Sequence, residues 1–131
     1  MRLLIDTHVL LWFISDPTKL SSVAVETIEN PVDKVLVSTA SLIEIAIKNS
    51  LGRLEVEGGF DALRLVLREI EVEILSIDFE HVSKLNRLPF HHKDPFDRII
   101  ASQALAEQID LVSVDDDFDK YFEGSEVKRI W

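Results

Sequence analysis

The chain has 131 residues, a formal net charge of −10 and no cysteine. This length is typical of one domain spanning residues 1–131, and a hydrophobic content of 47% is enough for a sizeable core. The longest apolar stretch, Val9 to Ile14, is much shorter than the roughly 20 residues that cross a bilayer. Disulfides are excluded, and we expect a soluble, cytoplasmic protein with no membrane contact.

The predicted elements alternate between strands and helices from the start of the chain. In chain order they are a strand at 2–6, helices at 8–14 and 22–30, a strand at 34–38, helices at 39–50 and 60–70, a strand at 72–77, helices at 79–88 and 95–108, a strand at 111–114, a helical turn at 118–122 and a strand at 127–130. Repeated βα alternation predicts a mostly parallel sheet with helices on both faces, an α/β fold.

Local signals mark several of the boundaries. Pro17 and Pro31 interrupt the helical pattern, Gly52 ends the helix that begins near Thr39, and the pair Gly58-Gly59 predicts a hinge before the next helix. No repeat, low-complexity tract or interdomain linker is visible. The elements are therefore expected to form one compact unit.

Four acidic residues lie where predicted elements begin or end. Asp6 closes the apolar run that opens the chain, and Asp115 follows the strand near residue 111. Glu44 and Asp97 lie in the first turns of two predicted helices. Because the carboxyl ends of parallel strands form a common crevice, these carboxylates are expected to share one pocket.

A pocket of this composition fits a hard divalent cation. Mg²⁺ prefers oxygen ligands and needs few protein carboxylates, since waters and a phosphate substrate complete its coordination. The four histidines lack the spacing of a zinc motif and there is no cysteine, so a softer metal is disfavoured. The sequence therefore predicts Mg²⁺ or Mn²⁺ held by Asp6, Glu44, Asp97 and Asp115.

Each acid also has a purely structural explanation. Asp6 is suited to cap the following helix, and Glu44 matches both a capping box with Ser41 and an ion pair with Lys48. Asp94-Pro95-Phe96-Asp97 is a strong helix start, with Asp94 as the N-cap. Taken singly, capping and metal binding remain open for Asp6, and the structural explanation is favoured for Glu44.

Other polar and aromatic residues are interpreted as structural. His91 and His92 precede a helix in a charged loop and are expected at the surface. Trp12 and Phe13 lie in a continuous apolar helix and are expected in the core.

The net charge argues against nonspecific binding of nucleic acid, because phosphates attract cations. Bound divalent ions would offset several acids, however, and positive residues cluster locally in one stretch, at Lys84, Arg87, Lys93 and Arg98. An acidic surface could also attract a basic partner chain.

Taken in order, several segments resemble the PIN-domain family, specifically the VapC-like toxin ribonucleases of type II toxin–antitoxin pairs. These segments are Leu4–Trp12, Ser41–Lys48 leading to Leu51–Leu54, His92–Ala101 and Leu111–Asp115. The match covers nearly the whole chain. It implies a PIN-like α/β/α sandwich with a mostly parallel central sheet, in which Asp6, Glu44, Asp97 and Asp115 hold the metal.

The resemblance also implies an activity and partners. The expected reaction is hydrolysis of RNA phosphodiester bonds with Mg²⁺ or Mn²⁺, in a homodimer that a cognate antitoxin neutralises. Asp94 and Asp117 are secondary candidates for the metal site, and Asp115 is preferred over Asp116 and Asp117 because it follows the strand. Thr7 is expected to orient Asp6, and Arg98 to meet phosphate.

Three alternatives remain. A phosphoacceptor receiver domain needs an acidic pair after the first strand, where only Asp6 is present. A phosphatase of the haloacid dehalogenase type needs a second acid two residues after the first, but residue 8 is His8. A catalytically silent PIN-fold module that only binds a partner is disfavoured because all four acids are present.

Overall fold

The computed structural model describes residues 1–131 and contains a five-stranded, fully parallel sheet. The strand order is β3-β2-β1-β4-β5. The chain therefore builds outward from β1 in one direction and then returns to add β4 and β5 on the other side. The order reverses between β1 and β4, and in open α/β sheets ligands bind outside the carboxyl ends of the strands at such a point.

Seven α-helices and two short 3₁₀ helices complete the fold. The bounds in chain order are β1 (Arg2–Ile5), α1 (Thr7–Ser15), a 3₁₀ helix (Pro17–Lys19), α2 (Ser22–Glu29), β2 (Lys34–Ser38), α3 (Thr39–Ser50), a 3₁₀ helix (Phe60–Ala62), α4 (Leu63–Glu69), β3 (Val72–Leu75), α5 (Phe79–Arg87), α6 (Pro95–Glu107), β4 (Asp110–Val112), α7 (Phe118–Phe122) and β5 (Arg129–Ile130). None of the helices combines the length and apolar character needed to cross a membrane.

Each face of the sheet has its own hydrophobic core. Leu4 and Leu111 point to one face, where they pack with Ile100 of α6 and Phe118 of α7. On the other face α1, α2 and α4 cover the alternate strand residues, which include Ile5, Val37 and Val112. Strands buried on both faces read as continuous apolar runs, which is why β1 and β2 are so apolar. The predicted α/β/α sandwich with a parallel sheet is confirmed.

The predicted elements are all present, with differences at their ends. The third strand stops at Leu75 rather than residue 77, and the last strand is only Arg129–Ile130. The helix predicted at 60–70 begins as a 3₁₀ turn. The predicted hinge at Gly58-Gly59 is a turn in which both glycines have positive φ, of 79° and 87°. Trp12 and Phe13 are partly buried and pack against the core.

One local prediction is wrong. The N-cap of α3 is Ser38, whose Oγ accepts a hydrogen bond from the Ala40 amide at 2.9 Å, so Ser41 and Glu44 do not form a capping box. The helix begins at Thr39, as the predicted bounds of 39–50 have it, because the chain passes directly from β2 into α3 without a loop. Ser41 and Glu44 consequently lie inside the helix, and both are buried.

Candidate functional site

Acidic side chains from four separate segments line one small cavity at the carboxyl edge of the sheet. The cavity has a volume of ≈ 70 Å³. The acids that line it are Asp6, Glu44, Asp94, Asp97 and Asp115. It lies beside the ends of β1 and β4, at the point where the strand order reverses. The site of the cavity therefore follows from the topology of the sheet.

Asp6 links β1 to α1 and is held by two hydrogen bonds. It caps α1 by accepting from the Val9 amide at 2.9 Å on Oδ1, and the Ser113 hydroxyl donates to its Oδ2. Asp6 is only 5% exposed, and this burial raises the pKa of its carboxyl above the usual range, although the two hydrogen bonds act in the opposite direction. The carboxylate is thus fixed in place yet short of compensating positive charge.

Asp97 lies in the first turn of α6. Asp94 caps this helix by accepting from the Phe96 and Asp97 amides at 2.9 and 3.3 Å, and Pro95 occupies the first position. Burial, together with the neighbouring charges of Asp94, Asp6 and Asp115, raises the pKa of Asp97 to about 7, although His92 acts in the opposite direction. Concentrated negative charge is therefore a property of this cavity.

Glu44 reaches the cavity from the middle of α3. It is 7% exposed, and its Oε2 accepts a hydrogen bond from the Lys48 Nζ at 2.8 Å. The predicted ion pair with Lys48 is thus confirmed. Burial of a carboxylate is unfavourable without such a partner, so the pair explains how Glu44 is tolerated among apolar neighbours.

Asp115 lies in the loop after β4, in a chain of side-chain and backbone contacts. Ser113 Oγ accepts from the Asp115 amide at 3.0 Å, and Asp115 Oδ1 accepts from the Asp117 amide at 2.9 Å. Ser113 therefore contacts both Asp6 and Asp115 and connects the ends of β1 and β4. The sequence predicted that Asp115 directly follows the strand, but β4 already stops at Val112, and Asp115 lies in the loop beyond it.

His92 lies among the carboxylates rather than at the surface as predicted. Its Nε2 is 3.4 Å from Asp97 Oδ2, 3.5 Å from Asp115 Oδ2 and 3.6 Å from Asp117 Oδ2. The Asp94 amide donates to its Nδ1 at 3.0 Å, so in the neutral ring Nε2 carries the proton and points at the acids. Its neighbour His91 is exposed.

The donor set fits a hard divalent cation. All the acids that line the cavity offer oxygen ligands, which Mg²⁺ and Mn²⁺ prefer. The volume of ≈ 70 Å³ compares with about 30 Å³ per water in the liquid, so an ion and a water have room. The pKa values of Asp6 and Asp97 are raised by the same causes, burial and repulsion between carboxylates. A bound cation would compensate the negative charge that is unfavourable there.

The PIN domain family model matches residues 3–123. The chain belongs to the PIN domain family. Several solved structures are similar to this PIN domain in fold. A chain of the VapBC2 complex from Rickettsia felis bound to a promoter DNA fragment shares 15% identity with a TM-score of 0.72, covering 100% of both chains. The VapBC-1 structure from nontypeable Haemophilus influenzae shares 16% identity, a TM-score of 0.72 and 98% coverage of both chains.

A third similar structure is VapBC-5 from Mycobacterium tuberculosis, with 20% identity and a TM-score of 0.61, covering 98% of this chain and 96% of that one. At these identities the likeness describes the fold. No curated protein sequence matches the chain significantly.

Two residue roles that the resemblance implied do not agree with the contacts in this PIN domain. The Thr7 hydroxyl donates to Ser41 Oγ at 2.9 Å, and the hydroxyl that contacts Asp6 belongs to Ser113. Arg98 donates to the carbonyls of Leu88 and Pro89 at 3.3 and 2.9 Å. It therefore braces the loop before α6, and an assignment to phosphate contact is not supported.

Of the residues that the sequence interpretation missed, Ser113 and His92 are the most informative. Ser113 precedes Asp115 by two residues, a spacing at which a hydroxyl accepts the amide two positions on. His92 has the same relation to Asp94, which caps α6. These short spacings were visible in the sequence, but their contacts with Asp6, Asp97 and Asp117 were not.

Proposed function

We propose that residues 1–131 form a metal-dependent endoribonuclease, the toxin of a type II toxin–antitoxin pair that acts in the cytoplasm. The observation that carries the proposal is the convergence of Asp6, Glu44, Asp97 and Asp115 on one cavity of ≈ 70 Å³. Membership of the PIN family supports a nuclease. The proposed cofactor is Mg²⁺ or Mn²⁺.

In this proposal the four carboxylates are the metal-binding and catalytic residues. Asp6 is positioned by the Val9 amide and the Ser113 hydroxyl, and Asp97 by the capped first turn of α6. Glu44 comes from a helix interior, so its backbone is rigid. Asp115 is chosen over Asp116 and Asp117 because it alone of the three lines the cavity.

A divalent cation would supply Lewis-acid stabilisation of phosphoryl oxygens and activation of water for hydrolysis. The chain supplies carboxylates that are already oriented, which reduces the reorganisation needed when substrate binds. His92 keeps an N–H directed at Asp97, Asp115 and Asp117, and thereby holds two separate loops in one arrangement. These residues bind and orient, and the hydrolytic chemistry depends on the cation.

The proposed partner is a cognate antitoxin, and the proposed assembly is a homodimer. Support for the partner comes from the similar structure VapBC-5, which belongs to the VapBC family of toxin–antitoxin systems. A net charge of −10 complements a basic partner segment. The acidic cavity would attract a basic side chain of such a segment and would thereby be blocked.

The direct test is cleavage of tRNA, ribosomal RNA and unstructured RNA by the purified protein. We expect cleavage with Mg²⁺ or Mn²⁺ and none with EDTA, with recovery when the metal is returned. Binding of Mn²⁺ by calorimetry accompanies the assay. A folded protein that binds metal but cleaves no RNA would favour a catalytically silent partner-binding module instead.

Ser113→Ala should weaken metal binding without unfolding the protein. The variant loses the donor to Asp6 and the acceptor for the Asp115 amide, so both carboxylates become less fixed. Residues that orient metal ligands typically contribute about 10–100-fold in affinity, and we expect a loss of that order for Mn²⁺ by calorimetry.

The matched control is Ser125→Ala. Like Ser113, Ser125 accepts from the amide two residues on, that of Val127, but it donates to the backbone carbonyl of Phe122 instead of to a carboxylate. It lies outside the cavity, so the affinity for Mn²⁺ should be unchanged. Equal affinities in the two variants would rule out the role assigned to Ser113.

A further inference from the structure

A second, larger groove adjoins the acidic cavity. Its volume is ≈ 400 Å³, and Glu44 and Asp94 line both the groove and the cavity, so the two share a wall. Unlike the cavity, the groove presents three cationic side chains, those of Lys48, Arg53 and Lys93. An anionic ligand could therefore lie in this groove and continue into the adjoining cavity.

The end of α3 places two of these cations next to each other. Gly52, with φ of 70°, reverses the chain, and the amides of Gly52 and Arg53 donate to the carbonyls of Asn49 and Lys48 at 3.0 and 2.9 Å. This is a Schellman motif, in which the two positions occupied here by Lys48 and Arg53 are commonly an apolar pair. Lys48 and Arg53 therefore lie at the same end of α3, and both line the groove.

Two of the three cations that line the groove have no ion-pair partner. Lys48 pairs with Glu44. Arg53 and Lys93 are exposed, and the charged nitrogens of neither residue lie within 4.0 Å of a carboxylate oxygen. Lys93 lies across the groove, next to the helix cap Asp94. In a chain with a net charge of −10, such a group of cations beside an acidic cavity is a local exception.

We propose that this groove binds the phosphate backbone of a single-stranded RNA on one side of the bond to be cleaved, through Arg53, Lys93 and Lys48. The inference rests on the proposed ribonuclease function and adds the residues that hold its substrate. The exposed apolar residues Ile47 and Leu51 also line the groove and offer apolar surface beside the cations.

The charge of the groove decides between RNA and a basic peptide. A basic side chain is attracted by the carboxylates of the cavity, but Arg53 and Lys93 repel it from the groove. A polyanion is instead attracted by the groove and repelled by the carboxylates of the cavity, so it needs a bound cation only where it passes those carboxylates. The cation that the cavity is proposed to hold and the cationic groove therefore suit the same ligand.

The test compares the double variant Arg53→Ala/Lys93→Ala with the control Arg68→Ala/Lys19→Ala, which removes the same charge from exposed residues outside the groove and the cavity. Binding of a fluorescein-labelled single-stranded RNA is followed by anisotropy from 50 to 200 mM salt, in an Asp6→Asn background that prevents cleavage. Each phosphate contact contributes a slope of about 0.7 in log affinity against log salt. The groove variant should therefore have a slope smaller by about 1.4 and lose about sevenfold less affinity over this range.

A second readout separates the groove from the chemistry. Hydrolysis of bis(p-nitrophenyl) phosphate, which is too small to reach the groove, should be the same in the groove variant as in the wild type, whereas KM for RNA rises. This inference fails if the salt slope equals that of the control. It also fails if the small ester and RNA are affected in parallel, or if a poly-glutamate peptide loses affinity while RNA does not.

Failure of the proposed function has a different signature. If the wild type cleaves no RNA but the groove variant still has the smaller salt slope, the groove binds RNA and the nuclease proposal alone is wrong.

Discussion

Asp6→Asn will strongly reduce the proposed metal-dependent RNA cleavage while the protein remains folded. The amide keeps the oxygen that accepts from the Val9 amide, so the cap of α1 persists, but it removes the negative charge proposed to bind the cation. Carboxylate ligands and the cation they hold contribute several kcal/mol to stabilising the transition state, so the rate should fall on the order of 10²–10³-fold. The measurements are the initial rate of RNA cleavage with Mn²⁺ and the affinity for Mn²⁺ by calorimetry.

Asp78→Asn is a closely matched control. Asp78 caps α5 and accepts from the amide three residues on, that of His81, just as Asp6 accepts from Val9 in α1. Asp78 does not line the cavity. Its variant should lose a comparable capping charge but keep full activity. Equal rates in Asp6→Asn and the wild type would exclude Asp6 from the catalytic site.

Asp97→Asn will make the metal-free protein more stable above pH 7. The pKa of Asp97 is about 7 in the folded protein and near 3.8 in the unfolded chain. Between these values the folded state binds more protons than the unfolded state, so the free energy of unfolding falls as pH rises through this window. At pH 8 the ionised, buried carboxylate therefore destabilises the fold by roughly 2–4 kcal/mol, which the neutral amide avoids.

The measurement is thermal unfolding in EDTA at pH 5 and pH 8. We expect the melting temperature of Asp97→Asn to exceed that of the wild type by about 10 °C at pH 8, with a smaller difference at pH 5. Added Mn²⁺ should stabilise the wild type more than the variant, since binding to the folded state adds to its stability. The exposed Asp61→Asn serves as control, and an advantage for Asp97→Asn that does not depend on pH would contradict the assigned cause.

The linkage has a consequence for metal binding. A carboxyl with a pKa of about 7 must lose its proton before it can bind a cation, so the affinity for Mn²⁺ should increase as pH rises from 6 to 8. The same burial and repulsion that cost stability without metal thus favour a cation once it is present. Stability of the apo protein and readiness to bind metal oppose each other at this position.

The sequence by itself determined the elements and the edge of the sheet where the acids lie. Helix starts depend on neighbouring residues, as in Asp94-Pro95, where a capping side chain and a fixed φ act within three positions. Alternation of apolar strands with amphipathic helices then requires a parallel sheet with both faces covered. Asp6, which directly follows an apolar strand, is placed at the carboxyl edge by this logic alone.

The tertiary structure decided which groups at that edge meet. Asp6 and Ser113 are 107 positions apart, and they touch only because β4 pairs directly with β1. If the strands followed one another in chain order, β2 and β3 would separate β1 from β4. No local pattern encodes that strand order. The position of His92 among three carboxylates, and the bracing of its loop by Arg98, likewise depend on packing between distant segments. Hydrogen bonds and charge interactions act over a few ångströms, so their partners are fixed only when the complete fold brings them together.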